Sequence, residues 1–159
     1  METNMQKSKR PSLRFNENEI KLALKAMDKL EKPLNLMYYL MEREYEQPFV
    51  LIFISAKNVE LEKFLDREKR DTDLLFEIDD TRNLFAVVCQ ETKVDGAYRF
   101  AERLLRNLTE ENADTVYCIE LEVRSTKHDV KDVIFKSVER YITSIKENNE
   151  GEIVFRSLH

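Results

Sequence analysis

Residues 73–90 read DLLFEIDDTRNLFAVVCQ. Leu74, Phe76 and Ile78 recur at the two-residue period of a half-buried strand, Asp79-Asp80-Thr81-Arg82-Asn83 has the composition of a turn, and Leu84 to Cys89 is apolar without interruption. The spacing predicts a hairpin of residues 73–78 and 84–90, with the second strand more deeply buried. Upstream, Phe49-Val50-Leu51-Ile52-Phe53-Ile54 is apolar on both faces and reads as a first, central strand. Between them, Asn58 is a cap candidate for a helix carrying Val59, Leu61, Phe64 and Leu65. Downstream, Asp95 and Gly96 open a helix whose Ala97, Phe100, Ala101, Leu104, Leu105 and Leu108 form one apolar face. Residues 116–123 follow as a strand, with Tyr117, Ile119, Leu121 and Val123 toward a core and Glu120, Glu122 and Arg124 expected in solvent. A second strong helix is expected over 129–146, and Gly151 suits a turn into a last strand over 152–155.

Strand, helix, strand, strand, helix, strand is the split βαβ order of ferredoxin-like folds, so the class is α+β, one sheet with helices packed on it. Two helices are expected ahead of it. Ile20, Ala23, Leu24, Met27 and Leu30 recur at helical spacing after Asn16 and Asn18 as cap candidates, and Pro33 suits the first turn of a second helix ended by Pro48. Residues 1–14 carry Lys7, Lys9, Arg10 and Arg14 with little apolar content and read as an unpacked basic arm.

Composition removes much of enzymology. The 159 residues, 42% hydrophobic, suit one domain core, and a net charge of -5 disfavours nucleic-acid or anionic-membrane binding. Two glycines cannot build a phosphate loop, a dinucleotide fingerprint or a nucleophile elbow. Cys89 and Cys118 sit in apolar runs without metal-site or disulfide spacing and read as core thiols; His128 and His159 are too few for a metal site. His128-Asp129 reads as the loop and cap leading into a helix. No apolar run reaches the ~18 residues of a membrane span, and the beginning lacks a signal core, so a cytoplasmic location is expected.

The hairpin, preceded by Arg70-Asp71-Thr72-Asp73 and followed by Val94-Asp95-Gly96-Ala97-Tyr98-Arg99-Phe100-Ala101-Glu102-Arg103-Leu104, resembles the GGDEF domains of bacterial diguanylate cyclases over roughly residues 49–155. The resemblance implies a nucleotidyl-cyclase-like fold, and partitions the chain into the arm (1–14), leading helices (15–48) and a GGDEF-like domain (49–159). That family joins two GTP molecules with metal ions held by carboxylates at the end of the first strand and in the signature turn. Here the corresponding stretches read Ser55-Ala56-Lys57-Asn58 and Asp79-Asp80-Thr81-Arg82-Asn83, with a lysine that repels a cation and without the glycines that let backbone approach a nucleotide. The family's lead-in motif is absent, and residues 58–72 leave room for one helix where the family has two.

The expectation is therefore a catalytically inactive regulatory or scaffolding module with no metal ligands and no cofactor. It would act through a protein partner or self-association of its helices; Tyr38, Tyr39 and Tyr45 are aromatic anchor candidates for such a contact, though packing inside the monomer is the use their positions favour. The alternative is a cyclic di-GMP receptor. Arg70 and Asp73 match the Arg-x-x-Asp pair through which many family members bind that dinucleotide, the guanidinium forking onto guanine or phosphate and the carboxylate accepting guanine N–H groups. Their other reading is an ion pair at a helix end. Asp79 and Asp80 read as solvated turn formers.

Overall fold

The computed structural model describes residues 15–43 and 47–158. The basic arm, Tyr45 and His159 lie outside the described residues. The elements are α1 (Glu17–Arg43), β1 (Phe49–Lys57), α2 (Leu61–Glu68), β2 (Leu74–Asp79), β3 (Leu84–Cys89), α3 (Val94–Glu110), β4 (Asp114–Val123), α4 (Val130–Lys146) and β5 (Ile153–Leu158). The sheet order is β2-β3-β1-β4-β5. β1 is antiparallel to β3 and β4, β2 is antiparallel to β3, and β5 runs parallel to β4. The first four strands realise the split βαβ order, and the β4-α4-β5 crossover adds a fifth beside β4.

Helices cover both faces of this sheet, which explains why β1 and β3 are apolar throughout. Phe49, Leu51 and Phe53 pack with Leu30, Leu34, Val133, Ile134 and Tyr141 under α1 and α4. Val50, Ile52 and Ile54 pack with Phe64, Leu65, Ala101 and Leu104 under α2 and α3. Cys89 and Cys118 are buried thiols in that second layer, their pKa values raised by burial. Among the described residues, no helix is long and apolar enough to cross a membrane.

The two expected leading helices are one. α1 continues through Pro33 for 27 residues. A proline inside a helix removes one backbone donor and crowds the preceding turn, a cost of ~3 kcal/mol. Burial offsets it here, because Leu30 and Leu34, either side of Pro33, are fully enclosed and hold both halves on the same layer. At its start the capping box is complete: Asn16 Oδ1 accepts from the Glu19 N–H and Glu19 Oε1 accepts from the Asn16 N–H, each at 2.9 Å. The Asn16 bond, with Lys146 adding to it, holds the Glu19 carboxyl below its usual pKa against the opposing effect of burial.

Asn58 does not cap α2; Glu60 occupies that position, and Asn58 takes a left-handed φ of 62° with its amide on Asp114. The expectation that Glu120 and Glu122 face solvent is also overturned. Their exposures are 1% and 2%, because α3 covers the face of β4 from which they project.

Candidate functional site

The end of β1 and the β2–β3 turn meet beside α1 and α4. Ser55, near the end of β1, is buried, and its hydroxyl accepts a hydrogen bond from Tyr141 of α4 at 2.8 Å. Lys57 is exposed at the strand's end. Across the turn, Asn83 takes a left-handed φ of 51° and donates its amide to the carbonyls of Ala56 and Val59, fastening the turn to the β1 exit.

Asp79 is not the solvated turn residue expected: it closes β2, buried, while Asp80 stays exposed in the turn. Its Oδ1 accepts from Lys25 of α1 at 3.2 Å and from the Thr81 N–H and hydroxyl, and its Oδ2 pairs with Arg82 at 3.5 Å. Burial alone would raise its pKa, but the Thr81 and Lys25 bonds outweigh burial and hold it below the usual carboxylate range. The carboxylate is thereby committed to the protein's own cations and donors. Among the described residues, no group of three or more His, Cys, Asp or Glu side chains converges as a metal would require.

A second constellation lies at the other end of the hairpin, where the structure brings Arg70 and Asp73 together. The Arg70 guanidinium donates to Asp73 Oδ1 through Nε at 3.0 Å and Nη2 at 2.7 Å, and the Arg70 N–H donates to Oδ2 at 2.9 Å. Nη2 also reaches the Gln90 carbonyl and the Thr92 hydroxyl, so the turn ahead of β2 is clamped to the exit of β3. The Asp73 side chain is 1% exposed and that of Arg70 51%. The Asp73 bond raises the already high Arg70 pKa. This is more than the surface ion pair that the charge-dense sequence suggested.

Beside the clamp is a hollow of about 210 Å³ lined in part by Arg70, Asp73, Thr92, Arg99, Phe100 and Arg103. Arg103 lies over the Phe100 ring at 5.0 Å and donates to the Glu68 carbonyl at the end of α2. Arg99, one turn earlier, is exposed. Sequence reasoning missed these two arginines; their i, i+4 spacing on α3, beside Phe100, was the available signal. It also missed Glu120, whose carboxylate oxygens have no hydrogen-bond partner among the described residues and whose pKa burial raises to about 8. The neighbouring Glu122 is satisfied by the Val94 N–H at the start of α3 and the Ser157 hydroxyl.

No family model matches the chain, and no curated protein matches it. Solved structures do. The diguanylate cyclase SiaD of Pseudomonas aeruginosa, solved with its activator SiaC, superposes with a TM-score of 0.62 at 15% identity over 79% of this chain. A microbial GGDEF domain solved with cyclic di-GMP gives 0.61 at 14% identity, over 79% of this chain and 90% of that one. The fold is that of a GGDEF domain. A diguanylate cyclase/phosphodiesterase from Caldicellulosiruptor saccharolyticus gives 0.53 at 13% identity, over 80% of this chain and 87% of that one. The chain spans a little over half, 56%, of the SiaD chain. The sequence resemblance alone pairs the stretches 55–58 and 79–83 with the metal-binding segments of GGDEF domains, and Arg70 and Asp73 with their Arg-x-x-Asp pair. The donor set of the first constellation does not fit the family's divalent cations: a hydroxyl held by Tyr141, a lysine, and a carboxylate already bound to Lys25 and Arg82.

Proposed function

We propose that this GGDEF-fold chain is a regulatory or scaffolding module without diguanylate cyclase activity. The observation that carries the reading is the state of Asp79. A carboxylate that would share a cation with GTP is instead neutralised by Lys25 and Arg82, while Ser55 offers only a hydroxyl at the β1 end. Without the cation, the triphosphate would meet the exposed Asp80 unscreened. Incubating the purified protein with GTP and Mg²⁺ or Mn²⁺ should yield no cyclic di-GMP. Product that follows the protein through successive purification steps would overturn the reading. Action through protein contacts is supported by α1, which leaves Leu36, Tyr39 and Leu40 exposed along its second half; a partner such as the SiaC that accompanies SiaD illustrates the mode. Tyr38, by contrast, is spent within the chain, donating to the His128 carbonyl.

A second reading, a cyclic di-GMP receptor, is favoured by the hollow beside Arg70 and Asp73, where two further guanidiniums and a phenyl ring gather. Such a set suits a ligand with phosphates and stacking bases. Calorimetry with cyclic di-GMP tests it. Because Arg70 also clamps the hairpin, Arg99→Ala is the cleaner variant, and it should weaken binding at least tenfold while the melting temperature holds. A flat titration of the parent protein removes the receptor reading.

A further inference from the structure

β5 is an edge strand, and no strand lies beyond it among the described residues. The other edge, β2, is flanked by α1 and α2 and broken by a register shift between Glu77 and Asp79, whereas β5 packs on β4 and α3. The Arg124 N–H donates to the Leu158 carbonyl, which continues the parallel ladder and fixes its phase. Because backbone groups of successive strand residues point to opposite sides, Val154, Arg156 and Leu158 bond toward β4, and Ile153, Phe155 and Ser157 aim their N–H and C=O groups outward. Among the described residues, the Phe155 carbonyl has a donor, Arg156 Nη1 at 3.2 Å. The strand is Ile-Val-Phe-Arg-Ser-Leu, without proline or acidic residues.

The side chains at this edge say what kind of strand it accepts. Arg156 is exposed and lies close enough to Arg140 of α4 to lower the latter's pKa, after burial as the larger cause. Glu139 and Glu147 act on Arg140 only through their field, and neither guanidinium has an ion pair with a described residue. Pairing with a second copy would bring two such arginine pairs together: antiparallel pairing about Phe155 sets the two Arg156 side chains as diagonal neighbours about 7–8 Å apart. The charge favours a different partner.

We propose that the outer edge of β5 is a docking site for an extended, acidic segment of another protein, which adds a strand through Ile153, Phe155 and Ser157 and places carboxylates against Arg140 and Arg156. The site goes beyond the regulatory reading above and does not depend on the absence of cyclase activity. The test follows backbone amide resonances of the full chain during titration with a capped seven-residue peptide alternating threonine and glutamate. Saturable shifts are expected at Ile153, Phe155 and Ser157, and the matching threonine-lysine peptide should bind at least tenfold more weakly. The Arg140→Gln/Arg156→Gln double variant should lose a similar factor. Phe155→Pro removes an outward N–H that the β4 ladder does not use, so it should abolish binding with the fold intact, whereas Phe155→Ala should keep it. Absence of saturable shifts, shifts centred elsewhere, equal binding of the lysine peptide, or equal behaviour of the proline and alanine variants would each overturn the proposal. So would concentration-dependent dimerisation of the protein alone through these same amides, which would assign the edge to a second copy.

Discussion

Exchanging Glu120 for leucine is expected to stabilise the protein by up to about 5 kcal/mol at pH 8 and by far less at pH 5. The residue is 1% exposed, both carboxylate oxygens lack a partner among the described residues, and burial lifts the pKa from 4.5 to about 8. The unfolded chain therefore ionises Glu120 near pH 4.5 while the folded chain keeps the proton to about pH 8. Between those values unfolding releases a proton, so the parent's stability falls by about 1.4 kcal/mol per pH unit and levels off above the folded pKa. Glu120→Leu and Glu120→Gln both remove the slope. Leucine also removes a polar group buried without a partner. Urea unfolding of the three proteins at pH 5, 6, 7 and 8 reads this directly; parallel stability profiles for parent and variants would show that Glu120 does not titrate on unfolding.

The Arg70–Asp73 clamp carries the second large effect. Arg70→Ala strands an enclosed carboxylate that keeps only the backbone donor of residue 70, and it also takes one donor each from the Gln90 carbonyl and the Thr92 hydroxyl, which keep the bond between them. Loss of one member of a buried pair costs about 3–5 kcal/mol; with Arg70 half in solvent, about 2–3 kcal/mol is the expected loss. The Arg70→Ala/Asp73→Ala double variant should be destabilised by less than the sum of the single changes, since removing both partners leaves no uncompensated charge. Denaturant midpoints around this cycle check it, and strict additivity would show that the pair does not act as a unit. Arg70→Lys should recover only part of the loss, because an ammonium cannot fork across Asp73, Gln90 and Thr92.

These two residue sets show what the sequence carried and what it concealed. The continuous apolar runs of β1 and β3 were legible because a strand covered on both faces has no polar side to show, and the turn between β2 and β3 announced itself by composition. Arg70 and Asp73 were visible as a spaced pair, but the clamp also depends on Gln90 and Thr92, which bond to Arg70 from the exit of β3. Glu120 and Glu122 alternate with apolar residues as they would on a half-exposed strand. The alternation was right and the exposure wrong, since a charge pattern cannot reveal that α3 lies over that face. Pro33 misled for the same kind of reason: its local cost is legible, and the packing of Leu30 and Leu34 that overrides it is not.

The central position of β1 has a consequence during synthesis. Its ladder partners, β3 and β4, extend to Cys89 and Val123, so a strand ending at Lys57 with eight enclosed residues leaves the ribosome long before its second neighbour exists. At about 5–20 residues per second, the wait for β4 lasts roughly 3–13 s. Throughout that interval a nascent chain displays Phe49 to Ile54 to its surroundings, an apolar β-prone run open to capture by chaperones or by other unfinished chains.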